Sequence, residues 1–127
     1  MSIHPTLRYA DPRAAIAFLT GTLGFQELHV YTGDDGSVAH AELAWDDGDD
    51  TGIVMLGSRT DPPGPFDTGK AVIYLTVGDP DALHDKAVAA GANVVMGLTD
   101  QDYGSREFAV ADAEDNRWSF GTYRPAS

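Results

Sequence analysis

One order of local signals is written twice in this chain, and it constrains the fold more than any single motif. Residues 3–9 (Ile-His-Pro-Thr-Leu-Arg-Tyr) alternate as a strand does, Asp11-Pro12 follows, and an alanine-rich run begins at Arg13. Sixty-eight residues later, residues 71–77 (Ala-Val-Ile-Tyr-Leu-Thr-Val) lead to Asp79-Pro80 and a second such run. An Asp at a helix N-cap accepts from free backbone N–H groups, and a Pro in the first turn has no N–H to lose. Each Asp-Pro therefore predicts a helix start. Stops are predicted near Thr20-Gly21, with Gly24 as a second signal, and at Gly91. After each helix the texture turns to β. Strands are predicted near 25–31, 37–45 and 52–57, then near 93–97, 105–111 and 117–123, with Gly- and Asp-rich turns at 32–36, 46–50 and 112–116.

Each half thus reads as strand, helix and three strands. The fold class expected is α+β, with βαβββ modules at about 3–58 and 71–124 in a single domain over 1–127. The connector 59–70 holds Pro62, Pro63 and Pro65 and should lie outside the sheets, because Pro cannot donate to a ladder. Two such modules can join their sheets into one curved mixed sheet, with helices on the convex face and a concave cup for a small ligand.

Composition narrows the partners. The chain has 127 residues, no cysteine, and 20 acidic against 8 basic side chains, a net charge of -12. Zero cysteine removes disulfide scaffolds, thiol nucleophiles and cysteine-ligated metal sites. The negative charge argues against nucleic acid and anionic lipid, and permits a cationic partner. Sixteen of the acids are Asp, which favours caps and turns. Apolar stretches fall far short of a membrane span. Met1-Ser2-Ile3-His4-Pro5 lacks the basic and apolar regions of a secretion signal, so a cytoplasmic location is expected. There is no phosphate-binding glycine loop, dinucleotide fingerprint or nucleophile elbow. The run 46–50 has no calcium-loop spacing and reads as a hairpin tip.

The repeat, together with Tyr103-Gly104-Ser105-Arg106-Glu107-Phe108 before a final hairpin ending Trp118-Ser119-Phe120-Gly121-Thr122-Tyr123, resembles the vicinal oxygen chelate superfamily. This group includes glyoxalase I, extradiol dioxygenases and bleomycin-resistance proteins. Residues 39–43 and 55–58 look like its glyoxalase/bleomycin-resistance branch. The resemblance covers about residues 3 to 124, and implies fold more firmly than function, because the fold hosts many chemistries.

The family's enzymes hold a divalent metal through four ligands, on the first and last strands of each half. His4 matches one such position. The others fall at Val72, Ser119 and Val54 or Met55, none of which is a His or a carboxylate. A metal-free protein with no cofactor is therefore expected. His40 and Glu42 sit two apart and should share a strand face, as a base with its orienter or as a polar lining. His29 and His84 read as surface positions.

If His4 faces inward as in the family, so do Thr6 and Arg8. In the second half Tyr74, Thr76 and Ser119 face inward. Tyr103 and Arg106 fall near the cup mouth, and Phe66 either closes over a ligand or pins the connector. The resemblance implies antibiotic binding by sequestration, in grooves built by a homodimer. A cationic glycopeptide-type antibiotic of the bleomycin class is the expected ligand. The competing expectation is a metal-dependent glyoxalase-like lyase, isomerase or dioxygenase using His4, His40 and Glu42. A third is a metal-free enzyme or accessory protein acting on a bulky natural product.

Overall fold

Both Asp-Pro signals do what their chemistry predicts. In the computed structural model, which describes residues 3–125, the Asp11 carboxylate accepts from the Ala14 amide at 3.1 Å and Asp79 accepts from Ala82 at 3.1 Å. The helices behind them are α1 (Pro12–Ala17) and α2 (Pro80–Ala89). The first half continues as β1 (Thr6–Tyr9), α1, β2 (Gln26–Thr32), β3 (Val38–Asp46) and β4 (Thr51–Ser58). The second is β5 (Val72–Thr76), α2, β6 (Asn93–Asp100), β7 (Arg106–Ala111) and β8 (Arg117–Gly121).

Among the described residues the strands form two four-stranded sheets, ordered β1-β4-β3-β2 and β5-β8-β7-β6. In each, the first strand runs parallel to the last and the others pair antiparallel. The chain divides into two compact units, Met1–Gly69 and Lys70–Ser127; residues 1, 2, 126 and 127 of the expected 1–127 domain lie outside the described residues.

Several boundaries differ from expectation, β6 among them, which runs on to Asp100 where the strand was expected near 93–97. The first strand begins at Thr6, not residue 3; Pro5 has no N–H to give, and its carbonyl instead accepts from Met55 at 2.9 Å. The first helix does not stop at Gly21. It continues as a π-helical segment, Phe18–Leu23, until Gly24 takes a left-handed φ of 97°. Burial of Leu19 and Leu23 holds that segment down, and the Thr20 hydroxyl bonds back to the Ile16 carbonyl at 2.8 Å. The last strand ends at Gly121 rather than 123.

Alternation sorts each sheet into two faces. In the first unit Leu7, Tyr9, Leu43, Val54 and Leu56 are buried on the helix side with Ile16 and Leu19. In the second, Phe108 and Phe120 stack at 5.1 Å between centroids, and Trp118 is fully buried. Each such side chain contributes roughly 1.5–3 kcal/mol by leaving water. The Trp118 indole donates to Asp112 at 3.1 Å, and Asp112 also accepts from the Asn116 and Glu114 amides, closing the β7–β8 turn. The tip at 46–50 is self-satisfied: Asp47 accepts from the Asp49 and Asp50 amides at 2.8 Å each. No helix among the described residues is long and apolar enough to cross a membrane.

Candidate functional site

The faces turned away from the helices carry the polar and aromatic residues. In the first unit, register places Thr6 opposite Met55, Met55 opposite Glu42, and Glu42 opposite His29. A second row brings Arg8 opposite Gly57 and His40 opposite Tyr31. The His40 Nε2 lies 2.9 Å from Glu42 Oε2. Tyr31 tilts against His40 with ring centroids 6.0 Å apart, and His29 stacks on Tyr31 at 5.7 Å. His29 therefore joins the His40–Glu42 pair, contrary to its reading as an isolated surface residue. His84 is also more than surface: its ring meets Phe108 edge-on at 5.3 Å. His4 is exposed and precedes β1.

The connector is pinned to this face. Phe66 lies over the Arg8 guanidinium, 5.8 Å from carbon to ring centroid, and is itself 68% exposed. Asp67 next to it accepts from the Thr60 hydroxyl and the Gly64 amide, and pairs with Arg8 at 3.6 Å. The Thr60 bond first, then the Gly64 bond, holds the Asp67 carboxyl below its ordinary range.

The second unit builds its face around one carboxylate. Glu107 on β7 is 4% exposed. It accepts from the Tyr103 hydroxyl at 2.6 Å, the Tyr74 hydroxyl at 2.8 Å and the Ser105 hydroxyl at 2.9 Å. Burial opposes its ionisation, but the bonds from Tyr103, Tyr74 and Ser105 outweigh burial and its pKa is lowered. The phenols respond in the opposite sense. The bond to Glu107 is the main cause that pushes Tyr103 up to about 12, while burial is the main cause that raises Tyr74. At neutral pH the cluster is one fixed anion ringed by protonated hydroxyls. It can bind and orient, and it offers no ready general base.

Gly121 makes the cluster possible. It pairs with Glu107, and a Cβ there would run into the Tyr74 hydroxyl and approach Glu107 Cγ at 2.5 Å. Just beyond β8, the Tyr123 amide donates to Ser105 Oγ at 3.1 Å and Tyr74 Oη at 3.2 Å, and Thr76 donates to the Tyr123 carbonyl at 2.8 Å. The Tyr123 ring stands nearly perpendicular to Tyr74, at 6.4 Å and 79°, and to Tyr103, at 5.8 Å and 82°.

Tyr74, Thr76 and Tyr103 are thus brought together, with Ser119 opposite Tyr74 on the same face. Arg106 is not. Its guanidinium grips Asp81 at the start of α2 at 2.6 and 3.3 Å and Asp100 at 3.2 Å. Alternation puts it on the helix side, opposite in direction to Glu107, so it ties β7 to α2 instead of lining the site.

A divalent metal of the kind the resemblance implies does not fit these residues. The strand positions hold a thioether at Met55, an isopropyl group at Val72 and a hydroxyl at Ser119, where a cation wants imidazole or carboxylate donors. Among the described residues no three His, Asp or Glu side chains converge on a metal position.

Glu107, Ser105 and Tyr123 were missed in the sequence, as were His29 and Tyr31. A signal for Glu107 existed: counting back equally from the 112–116 turn pairs it with Gly121, which by alternation shares the face of Ser119. Tyr123 carried none, because it lies past the strand and is placed by hydrogen bonds to its main chain.

The chain is similar to four known references, one family model and three proteins. The family model for the "Glyoxalase/Bleomycin resistance protein/Dioxygenase superfamily" matches residues 2–120. An uncharacterized protein of Mycobacterium bovis, Mb0911c, is 34% identical over 125 residues, 94% of this chain and 82% of that protein. Among solved structures, TioX from Micromonospora sp. ML1 is similar with a TM-score of 0.78 and 32% identity, covering 98% of this chain and 99% of TioX. UcmS2 has a TM-score of 0.74 at 19% identity, covering 94% and 96% respectively, a likeness of fold alone.

Proposed function

We infer function from one premise: this chain belongs to the glyoxalase/bleomycin resistance protein/dioxygenase superfamily. We propose that it is a metal-free small-molecule binding protein that sequesters an antibiotic or related natural product, and that it works as a homodimer in the cytoplasm. The observation that carries this reading is the exchange at the family's metal-bearing positions. Val72 has no donor atom, and Met55 and Ser119 offer a thioether and a hydroxyl in place of imidazole or carboxylate, while the same sheet faces present tyrosines, His40, Glu42 and Arg8. The locked state of Glu107 supports it further: a carboxylate accepting three hydroxyl bonds is built to hold charge still. A cationic glycopeptide-type ligand suits the acidic chain, whose field steers cations toward it.

A thermal-shift screen of the chelator-treated protein tests this reading. Bleomycin at about 100 times its Kd should add roughly 2.7 kcal/mol of stability without added metal. A shift that appears only with zinc, nickel, manganese or iron would favour the enzymatic alternative, with the His40–Glu42 pair as its first ligands.

A further inference from the structure

We propose that Tyr74, Tyr103 and Tyr123 form a three-sided aromatic cage for the ammonium group of an alkylated organic cation, with Glu107 as its counter-charge. This assigns the cationic end of the ligand to one place, and so rests on the small-molecule reading above. The three rings meet at near right angles, with Tyr123 perpendicular to both neighbours at 6.4 and 5.8 Å. All three remain accessible, at 37%, 60% and 47% exposure for Tyr74, Tyr103 and Tyr123. A cation resting against several ring faces is attracted by the negative charge of each π system.

The chemistry selects the kind of cation. Two of the phenols donate to a carboxylate, which enriches their rings in negative charge. Glu107 has only uncharged hydrogen-bond partners, so its charge is not neutralised where it sits. Yet both of its oxygens are occupied by hydroxyl donors, leaving little to replace the water of a small inorganic ion. A weakly hydrated alkylammonium, which needs ring faces rather than oxygen ligands, fits what remains. The cage is also assembled beforehand. The Tyr123 main chain is held on one side by Ser105 and Tyr74 and on the other by Thr76, so closing on a ligand costs little ordering.

The test uses choline and its neutral carbon isostere as probes, followed by tyrosine ring resonances in NMR titrations of the whole protein. Choline is expected to saturate, at least roughly tenfold tighter than the isostere, a factor of the size that cation–π attraction supplies. Tyr103→Leu, at a position 60% exposed, should weaken choline about tenfold and leave the isostere unchanged. Glu107→Gln should weaken choline in the same sense. Equal binding of choline and isostere, or the absence of saturable shifts, overturns the cage. Choline binding without bleomycin binding supports the cage and overturns sequestration; bleomycin binding without choline binding overturns the cage alone.

Discussion

The Tyr74 hydroxyl reaches Glu107 at 2.8 Å across the face of Gly121, a residue whose missing side chain leaves the space for that bond. Third-strand carboxylate, first-strand phenol and last-strand glycine form one unit, and each constrains the others.

Gly121→Ala is expected to cost about 1–3 kcal/mol, because the new methyl meets both partners of that bond and neither is free to retreat. Gly97→Ala on β6, where an added Cβ meets nothing within 4 Å, should be near neutral. Urea denaturation of the two variants checks the contrast. Equal effects would mean that the Tyr74–Glu107 spacing is not what Gly121 protects.

Glu107 sets a pH dependence. Its folded pKa is lowered, so its contribution to stability is full above the unfolded carboxyl value and is lost as pH falls through the folded one. Wild-type stability should therefore drop on acidification below about pH 4. In Glu107→Gln that part of the drop should vanish, leaving a shallower acid limb in denaturant titrations. An unchanged limb would assign the acid sensitivity to other carboxylates.

Tyr103 provides the matching signal in base. Its phenol is pushed up to about 12 chiefly by its bond to Glu107, so its share of stability is full below the ordinary phenol value and fades as pH rises through about 12. Ultraviolet titration of tyrosinate should show two phenols that resist ionisation, Tyr74 chiefly through burial and, tied to Glu107, Tyr103. Glu107→Gln should bring Tyr103 back toward the ordinary range, and Tyr103→Phe should remove it from the titration.

Asp112→Ala should cost at least about 2 kcal/mol, since it removes one acceptor shared by the buried Trp118 indole N–H and the Asn116 amide. Chemical denaturation followed by Trp fluorescence checks this. A loss well below that size would mean water or neighbouring groups satisfy both donors.

Much of the fold was legible because Asp-Pro and the glycine stops act locally. The Asp11 and Asp79 caps need only residues three positions on. The π-helical segment was not, because Gly21 signals a stop that the burial of Leu19 and Leu23 overrides. The division into two βαβββ modules, each with four strands, was legible from the repeat, but the order of strands within each sheet was not, since alternation says nothing about which strands pair. At the site, parity assigned Tyr74, Thr76 and Ser119 to one face, and the β5–β8 register sets Ser119 opposite Tyr74. Parity did not show that Arg106 has two carboxylates to hold it on the helix side, nor that His29 stacks on Tyr31. Those depend on partners distant in sequence.

The central claim is that binding occurs without metal and without turnover. Calorimetric titration of the chelator-treated protein with metal-free bleomycin, followed by mass spectrometry of the recovered drug, tests it most directly. The account predicts saturable binding, weakened by Tyr103→Leu, and recovery of chemically unchanged drug. Binding that requires an added divalent metal, or a drug recovered in altered form, would contradict it.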